Sequence, residues 1–133
     1  MADPGPPTAE QIIGMSQELN LLAKQLYAVF TTPTNGLGPV MENIEAHLAF
    51  QHDLEKRGIM WAAGPFWNND EATWDGEGMV VIRAGSLAEA TEIATSDPMH
   101  AAGARSFTVR PWLVNEGTLN VKLDFSGKTF ELT

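Results

Sequence analysis

The strongest constraint on the fold is a change of period between Val40 and Pro65. Val40, Ile44, His47, Leu48, Gln51 and Leu54 share one broad face at helical spacing. Lys56 and Arg57 sit in the last turn, where positive charge suits the helix dipole, and Gly58 is the stop. Ile59-Met60-Trp61-Ala62-Ala63 follows at once as a short strand ending in Gly64-Pro65. The small residues at its end allow a close backbone approach. A helix handed so directly to a strand lays its apolar face on the sheet that the strand joins.

The flanking segments extend this unit. Residues 1–7 form a Pro/Gly-rich leader, expected to be mobile and dispensable. Thr8-Ala9-Glu10-Gln11 resembles a capping box, and Ile12, Met15, Leu19, Leu22, Ala23 and Leu26 follow at helical spacing, so a helix is expected over 8–25. Residues 26–32 are rich in aromatic and β-branched types and give a first core strand. Residues 33–39 are loop punctuation. Residues 78–84 are a continuous apolar strand, as in a sheet covered on both faces. Ser86-Leu87-Ala88-Glu89 is a second capping box, opening a helix that stops before Pro98. Residues 99–103 are a short link of about one helical turn. Residues 106–114 are a fourth strand, and Pro111 within it argues for an edge or a bulge. Leu119 to Leu132 alternate on either side of a Ser126-Gly127-Lys128 turn, a β-hairpin extension that should extend or clasp an assembly.

The core order is strand, helix, strand, strand, helix, strand. That is an α+β, ferredoxin-like βαββαβ core with helices on one face of the sheet. Its other face is apolar and needs cover, which a second copy packing sheet on sheet supplies. A homodimer or higher homo-oligomer is therefore expected. The expected divisions are 1–25 for leader and helix, 26–114 for the core domain and 115–133 for the strand extension.

Composition narrows the function. At 133 residues the chain is one domain by size. It contains no cysteine, which excludes disulfides, thiolate catalysis and thiolate-bound metals. A net charge of -9 argues against nucleic acid and against anionic membrane surfaces. No apolar run approaches the roughly 20 residues of a membrane span, and no secretory signal is recognisable, so a cytoplasmic protein is expected. Asp70, Glu71, Asp75 and Glu77 crowd one loop without the alternation of a calcium site and read as solvated. No dinucleotide fingerprint, Walker sequence or G-x-S-x-G elbow is present. Cofactor-free proton chemistry remains: isomerisation, elimination or decarboxylation of an activated small molecule.

Three places carry a family resemblance. Ala46-His47-Leu48 lies on the central helix. Gly58-Ile59-Met60-Trp61-Ala62-Ala63-Gly64-Pro65 is helix stop, strand and Gly-Pro end. Ser86-Leu87-Ala88-Glu89-Ala90 leads to Ser96-Asp97-Pro98 and on to Val109-Arg110-Pro111-Trp112. In this order and spacing, over residues 26–114, they resemble the YCII-related family of the dimeric α/β-barrel superfamily. The resemblance implies a homodimer with a pocket in each subunit, between helices and sheet. It also implies a His-Asp catalytic pair, here His47 and Asp97, working as a lyase or isomerase with no cofactor and no metal. Relatives include a dehydrochlorinase of a chlorinated hydroxyhydroquinone and, more distantly, muconolactone isomerase. The substrate expected is a cyclic or aromatic metabolite.

Each residue also has a plainer reading. His47 on an inward face is either a proton-transfer group or a core histidine with satisfied hydrogen bonds. Asp97 in Ser-Asp-Pro either orients an imidazole or caps a helix. His52, about 140° around the helix from His47, should be exposed. His100 lines the pocket mouth or lies on the surface. Histidine with carboxylate suits zinc or iron, but the spacing of His47, Asp97 and His100 matches no ligand motif. Trp61 is expected in the core. Gly64, Pro65, Phe66, Trp67 and Trp112 adjoin chain breaks where a pocket could open and bind a planar substrate. Arg83 and Arg110 are candidate anion partners or surface salt-bridge residues. The alternatives to an enzyme are a non-catalytic dimeric module that binds a small molecule, and an oligomeric partner protein using its first helix.

Overall fold

The computed structural model describes residues 2–133. The chain forms two compact units, one of residues 25–113 and a smaller one drawn from the two chain ends.

In the larger unit, β1 (Lys24–Pro33), β2 (Met60–Pro65), β3 (Gly78–Ile82) and β4 (Arg105–Val114) form a sheet in the order β2-β3-β1-β4. β1 and β3 pair antiparallel from Tyr27 opposite Ile82 to Thr31 opposite Gly78. β2 also pairs antiparallel with β3, and its register shifts between Met60 and Ala62, so Trp61 is a bulge. β4 is an edge strand, which is how it tolerates Pro111. With α3 (Ile44–Lys56) and α4 (Leu87–Thr95) between the strands, this is the ferredoxin-like order.

Period two sorts the side chains. Tyr27 and Val29 of β1 and Ile82 of β3 pack against Leu54 of α3 and Ala90 and Ala94 of α4. Both long helices therefore cover one face. On the other face Phe30 stacks with Phe66, with ring centroids 6.5 Å apart. Trp61 meets Trp112 edge to face at 6.0 Å. Phe30 is 37% exposed, Trp61 43%, Phe66 43% and Trp112 41%. Trp61 thus lies on this outer face and not in the core.

Local chemistry sets the ends of α3. Gly58 has φ 73°, a region costly for a side chain, and its N–H donates to Glu55 O while Ile59 N–H donates to Leu54 O. These two bonds make a Schellman stop, and β2 begins two residues later. The N-terminal side differs from the single helix expected after Pro39. α2 (Leu37–Glu42) takes Pro39 into its first turn, where a missing N–H is harmless, and breaks from α3 at Asn43. Ser86 caps α4 by accepting from Glu89 N–H, while Glu89 reaches back to Gly85 N–H. The link after Pro98 is the short helix α5 (Pro98–Ala101), capped by Asp97.

In the smaller unit, α1 (Ala9–Glu18) opens with the Thr8/Gln11 capping box but stops well short of residue 25. Asn20 and Ala23 adopt positive φ, 58° and 51°, which no right-handed helix accommodates. Asn115 holds this exit, accepting from Ala23 N–H and donating to Ser16 Oγ. β5 (Val121–Asp124) and β6 (Thr129–Leu132) form the C-terminal hairpin, with Val121 opposite Leu132 and Leu123 opposite Phe130 on one exposed apolar face. Among the described residues no helix is long and apolar enough to cross a membrane.

Candidate functional site

Helix α3 places His47 on its inward face, one turn after Ile44 and one before Gln51. His47 is 6% exposed and Asp97 4%. The His47 Nδ1–H donates to Asp97 Oδ2 at 2.8 Å, with Oδ1 at 3.0 Å. A carboxylate can only accept, so in the neutral ring this partner holds the proton on Nδ1 and leaves Nε2 bare. Asp97 Oδ1 also accepts from Met99 N–H at 2.9 Å. Capping and imidazole orientation, alternatives in the sequence, are thus performed together by one carboxylate.

His47 lines a cavity of about 210 Å³, and Asp97 stands behind the ring. The cavity walls come from α3 through Ile44, His47 and Gln51, from the end of β2 through Gly64 and Pro65, and from Thr31 of β1. A side chain at Gly78 would meet Gly64 O at 3.1 Å, so glycine there permits the two strands to close this end. The acidic loop supplies Trp74 and Glu77. It is ordered from within: Asp70 accepts from Ala72 and Thr73 N–H and from the Thr73 hydroxyl, which holds its carboxyl below the usual range. The Trp74 indole N–H donates to Glu77 O at 2.7 Å, fixing the ring at the cavity.

His100 is half-buried beside a void of about 20 Å³ that it lines with Asp97. Its Nδ1–H donates to Ala94 O at 2.6 Å, so Nε2 accepts from the Thr31 hydroxyl at 2.9 Å. Burial pushes its pKa down, opposed by the Ala94 hydrogen bond and the Asp97 charge. A neutral ring fits both bonds. Thr31 lines the cavity, so His100 is one hydroxyl removed from it.

The structure therefore gathers His47, Asp97, Gly64 and Pro65 at one place, with His100 one contact behind. It does not bring the expected aromatics there. Gly64 pairs with Met79, which pairs with Phe30, so it has outer parity and meets the cavity only as backbone; Phe66, one strand period on, falls on the outer face with Phe30. Trp112 lies on that face with Arg110, and Trp67 is 63% exposed in the loop. His52 is exposed. Arg83 is exposed and donates to Gly58 O and Met60 O. Among the described residues no three His, Asp or Glu side chains converge as metal ligands would.

Sequence reasoning passed over Trp74 and Arg105. Trp74 is the aromatic wall that the cavity does have. Arg105, at the start of β4, lines the cavity and is 6% exposed, with its Cζ 5.8 Å from the Trp74 ring centroid. The alternation Arg105, Phe107, Val109 puts it on the helix-covered face, a pattern legible in the sequence.

Comparison with known proteins agrees with this architecture. The model of the YCII-related domain matches residues 25–113. The uncharacterized protein YjpA of Bacillus subtilis (strain 168) is 35% identical over 71 residues, which are 53% of this chain and 76% of that protein. Among solved structures, the chain is similar in fold to 5-chloro-2-hydroxyhydroquinone dehydrochlorinase from Burkholderia phenoliruptrix AC1100 in complex with 2,5-dihydroxybenzoquinone. The TM-score is 0.57 at 23% identity, covering 65% of this chain and 92% of the other. On the family match and the relative together, this chain belongs to the YCII-related family.

Proposed function

We propose that this protein is a cofactor-free lyase or isomerase in which His47, oriented by Asp97, moves a proton on a small cyclic or aromatic metabolite. The observation that carries the reading is the buried 2.8 Å His47–Asp97 bond with His47 forming the cavity wall. Bare Nε2 accepts a proton from substrate, and the Asp97 carboxylate stabilises the imidazolium that results. The same proton, returned to another atom, gives an isomerisation. If a leaving group departs with the electron pair instead, the outcome is an elimination. Gln51 and the Gly64-Pro65 edge bound the cavity beside the base. The fold likeness to a dehydrochlorinase supports elimination on an oxygenated ring as the first chemistry to test.

A second copy completes the proposal. The outer sheet face, with Phe30, Trp61, Phe66 and Trp112 exposed, is the apolar surface that sheet-on-sheet packing in a homodimer would bury.

The test is chloride release from 5-chloro-2-hydroxyhydroquinone, together with proton exchange into ring-hydroxylated analogues. His47→Ala is expected to lower turnover by about 10²–10⁴-fold with the fold retained. Turnover unchanged in His47→Ala overturns the assignment. Binding of these compounds without any turnover by the wild-type chain assigns the pocket to a binding module instead.

A further inference from the structure

Arg105 is a buried cation without a counter-ion of its own. Among the described residues its Nε is the one buried side-chain nitrogen or oxygen without a hydrogen-bond partner, and its guanidinium makes no salt bridge. A guanidinium remains charged under burial, and one at a cavity wall without an ion-pair partner favours an anion there. Burial pushes the Arg105 pKa down, opposed by the nearby Asp97 charge. The Asp97 oxygens, however, face His47 Nδ1–H and Met99 N–H, and neither bonds Arg105. Glu77, whose residue lines the cavity, is exposed and makes no bond to Arg105.

The cavity offers what a small anion needs. Arg105 supplies hydrogen-bond donors in a fixed fork. Trp74 gives a flat apolar wall beside the charge. A volume of about 210 Å³ is below the roughly 300–1,000 Å³ of drug-sized sites and suits one ring with few substituents.

We infer that the cavity takes a small ring-bearing anion, its carboxylate or ring oxyanion held by Arg105 and its ring against Trp74, with the proton-bearing atom turned to His47. The orientation toward His47 rests on the proton-transfer reading above; the anion preference does not. Charge on the substrate is then an anchor, and Arg105 neutralises it while a further proton is removed.

The probes are benzoate, its neutral isostere benzamide, and 4-nitrophenolate at a pH above its own pKa. Binding to the full chain is followed by the ¹⁵N–¹H signals of the Trp74 indole and Arg105 Nε. Benzoate or 4-nitrophenolate is expected to shift both signals and to bind about tenfold or more tightly than benzamide. Tighter benzoate marks a carboxylate site, and tighter 4-nitrophenolate marks a ring-oxyanion site. Arg105→Gln is expected to abolish the preference for anions, and His47→Ala to keep it. If Arg105→Gln fails to fold, the wild-type comparison of benzoate with benzamide decides alone. Equal binding of the charged and neutral probes, no response to millimolar anion, or a preference that survives in Arg105→Gln overturns the inference. Turnover by the His47 variant is a separate result, so either conclusion can fail without the other.

Discussion

Replacing Asp97 by alanine and by asparagine separates the two roles of one carboxylate. Oδ1 caps α5 through Met99 N–H, and both oxygens face His47 Nδ1. Alanine removes everything. A lost N-cap costs about 0.5–2 kcal/mol. An imidazole N–H left buried without an acceptor costs about 1–3 kcal/mol. Asp97→Ala should therefore destabilise the fold by about 1.5–5 kcal/mol. Asparagine keeps an oxygen for Met99 N–H, but its amide nitrogen then faces His47 and can only donate. The retained oxygen still lies 3.0 Å from Nδ1, but the nearer position is now an N–H, so the ring shifts toward the tautomer with its proton on Nε2 and a bare Nδ1 facing the amide. The cap and one hydrogen bond survive, so the cost stays below about 2 kcal/mol. As the ring shifts, the cavity meets an N–H instead of a lone pair, and turnover should fall, though less than in His47→Ala. Urea denaturation with linear extrapolation measures the stabilities, and turnover is read on the same samples. Asparagine as destabilising as alanine, or asparagine with full turnover, would refute the reasoning.

Two further outcomes follow from the same geometry. Because burial lowers the His100 pKa below 6.5, the unfolded chain binds this proton at higher pH than the folded chain. The neutral ring's contribution is then complete above 6.5 and lost as pH falls through the folded value. The urea midpoint should drop on acidification from neutral pH, and less steeply in His100→Gln; equal slopes would remove His100 as the cause. If the proposed dimer forms through the outer sheet face, burying at least about 1,200 Å² in total, the wild-type chain should sediment as a dimer and Trp112→Glu, which puts a charge there, as a monomer. A dimer that persists in this variant would place the interface elsewhere.

The fold was legible because local chemistry and periodicity agreed. The Gly58 stop, the Ser86 cap and the apolar third strand each fixed an element and its neighbour. Helix α1 was overread because Leu22, Ala23 and Leu26 keep a helical period, while positive φ at Asn20 and Ala23 turns the chain out of the helix. Asparagine tolerates positive φ better than other non-glycine residues, so Asn20 carries a weak signal of that turn, while Ala23 carries none. The His47 face was visible in the 3.6-residue period. Its partner was visible only through family resemblance, because fifty residues separate His47 from Asp97. The aromatics were misplaced because proximity to a Gly-Pro break says nothing about which side of the sheet a side chain takes. Strand parity does, and it assigns Phe66 outward and Arg105 inward. Trp74 was hidden in a loop whose course depends on the turn at Asp70 and the bond from its indole to Glu77 O.

The central claim is that Asp97 holds His47 with its proton on Nδ1 and a bare Nε2 toward the cavity. Long-range ¹⁵N–¹H correlation of the His47 ring at neutral pH tests this without any knowledge of the substrate. The account predicts the Nδ1–H tautomer in the wild-type chain and a shift toward the Nε2–H tautomer in Asp97→Asn. It also predicts that a ligand filling the cavity perturbs Nε2 more than Nδ1. A wild-type ring carrying its proton on Nε2, or one whose tautomer is unchanged in Asp97→Asn, would contradict it.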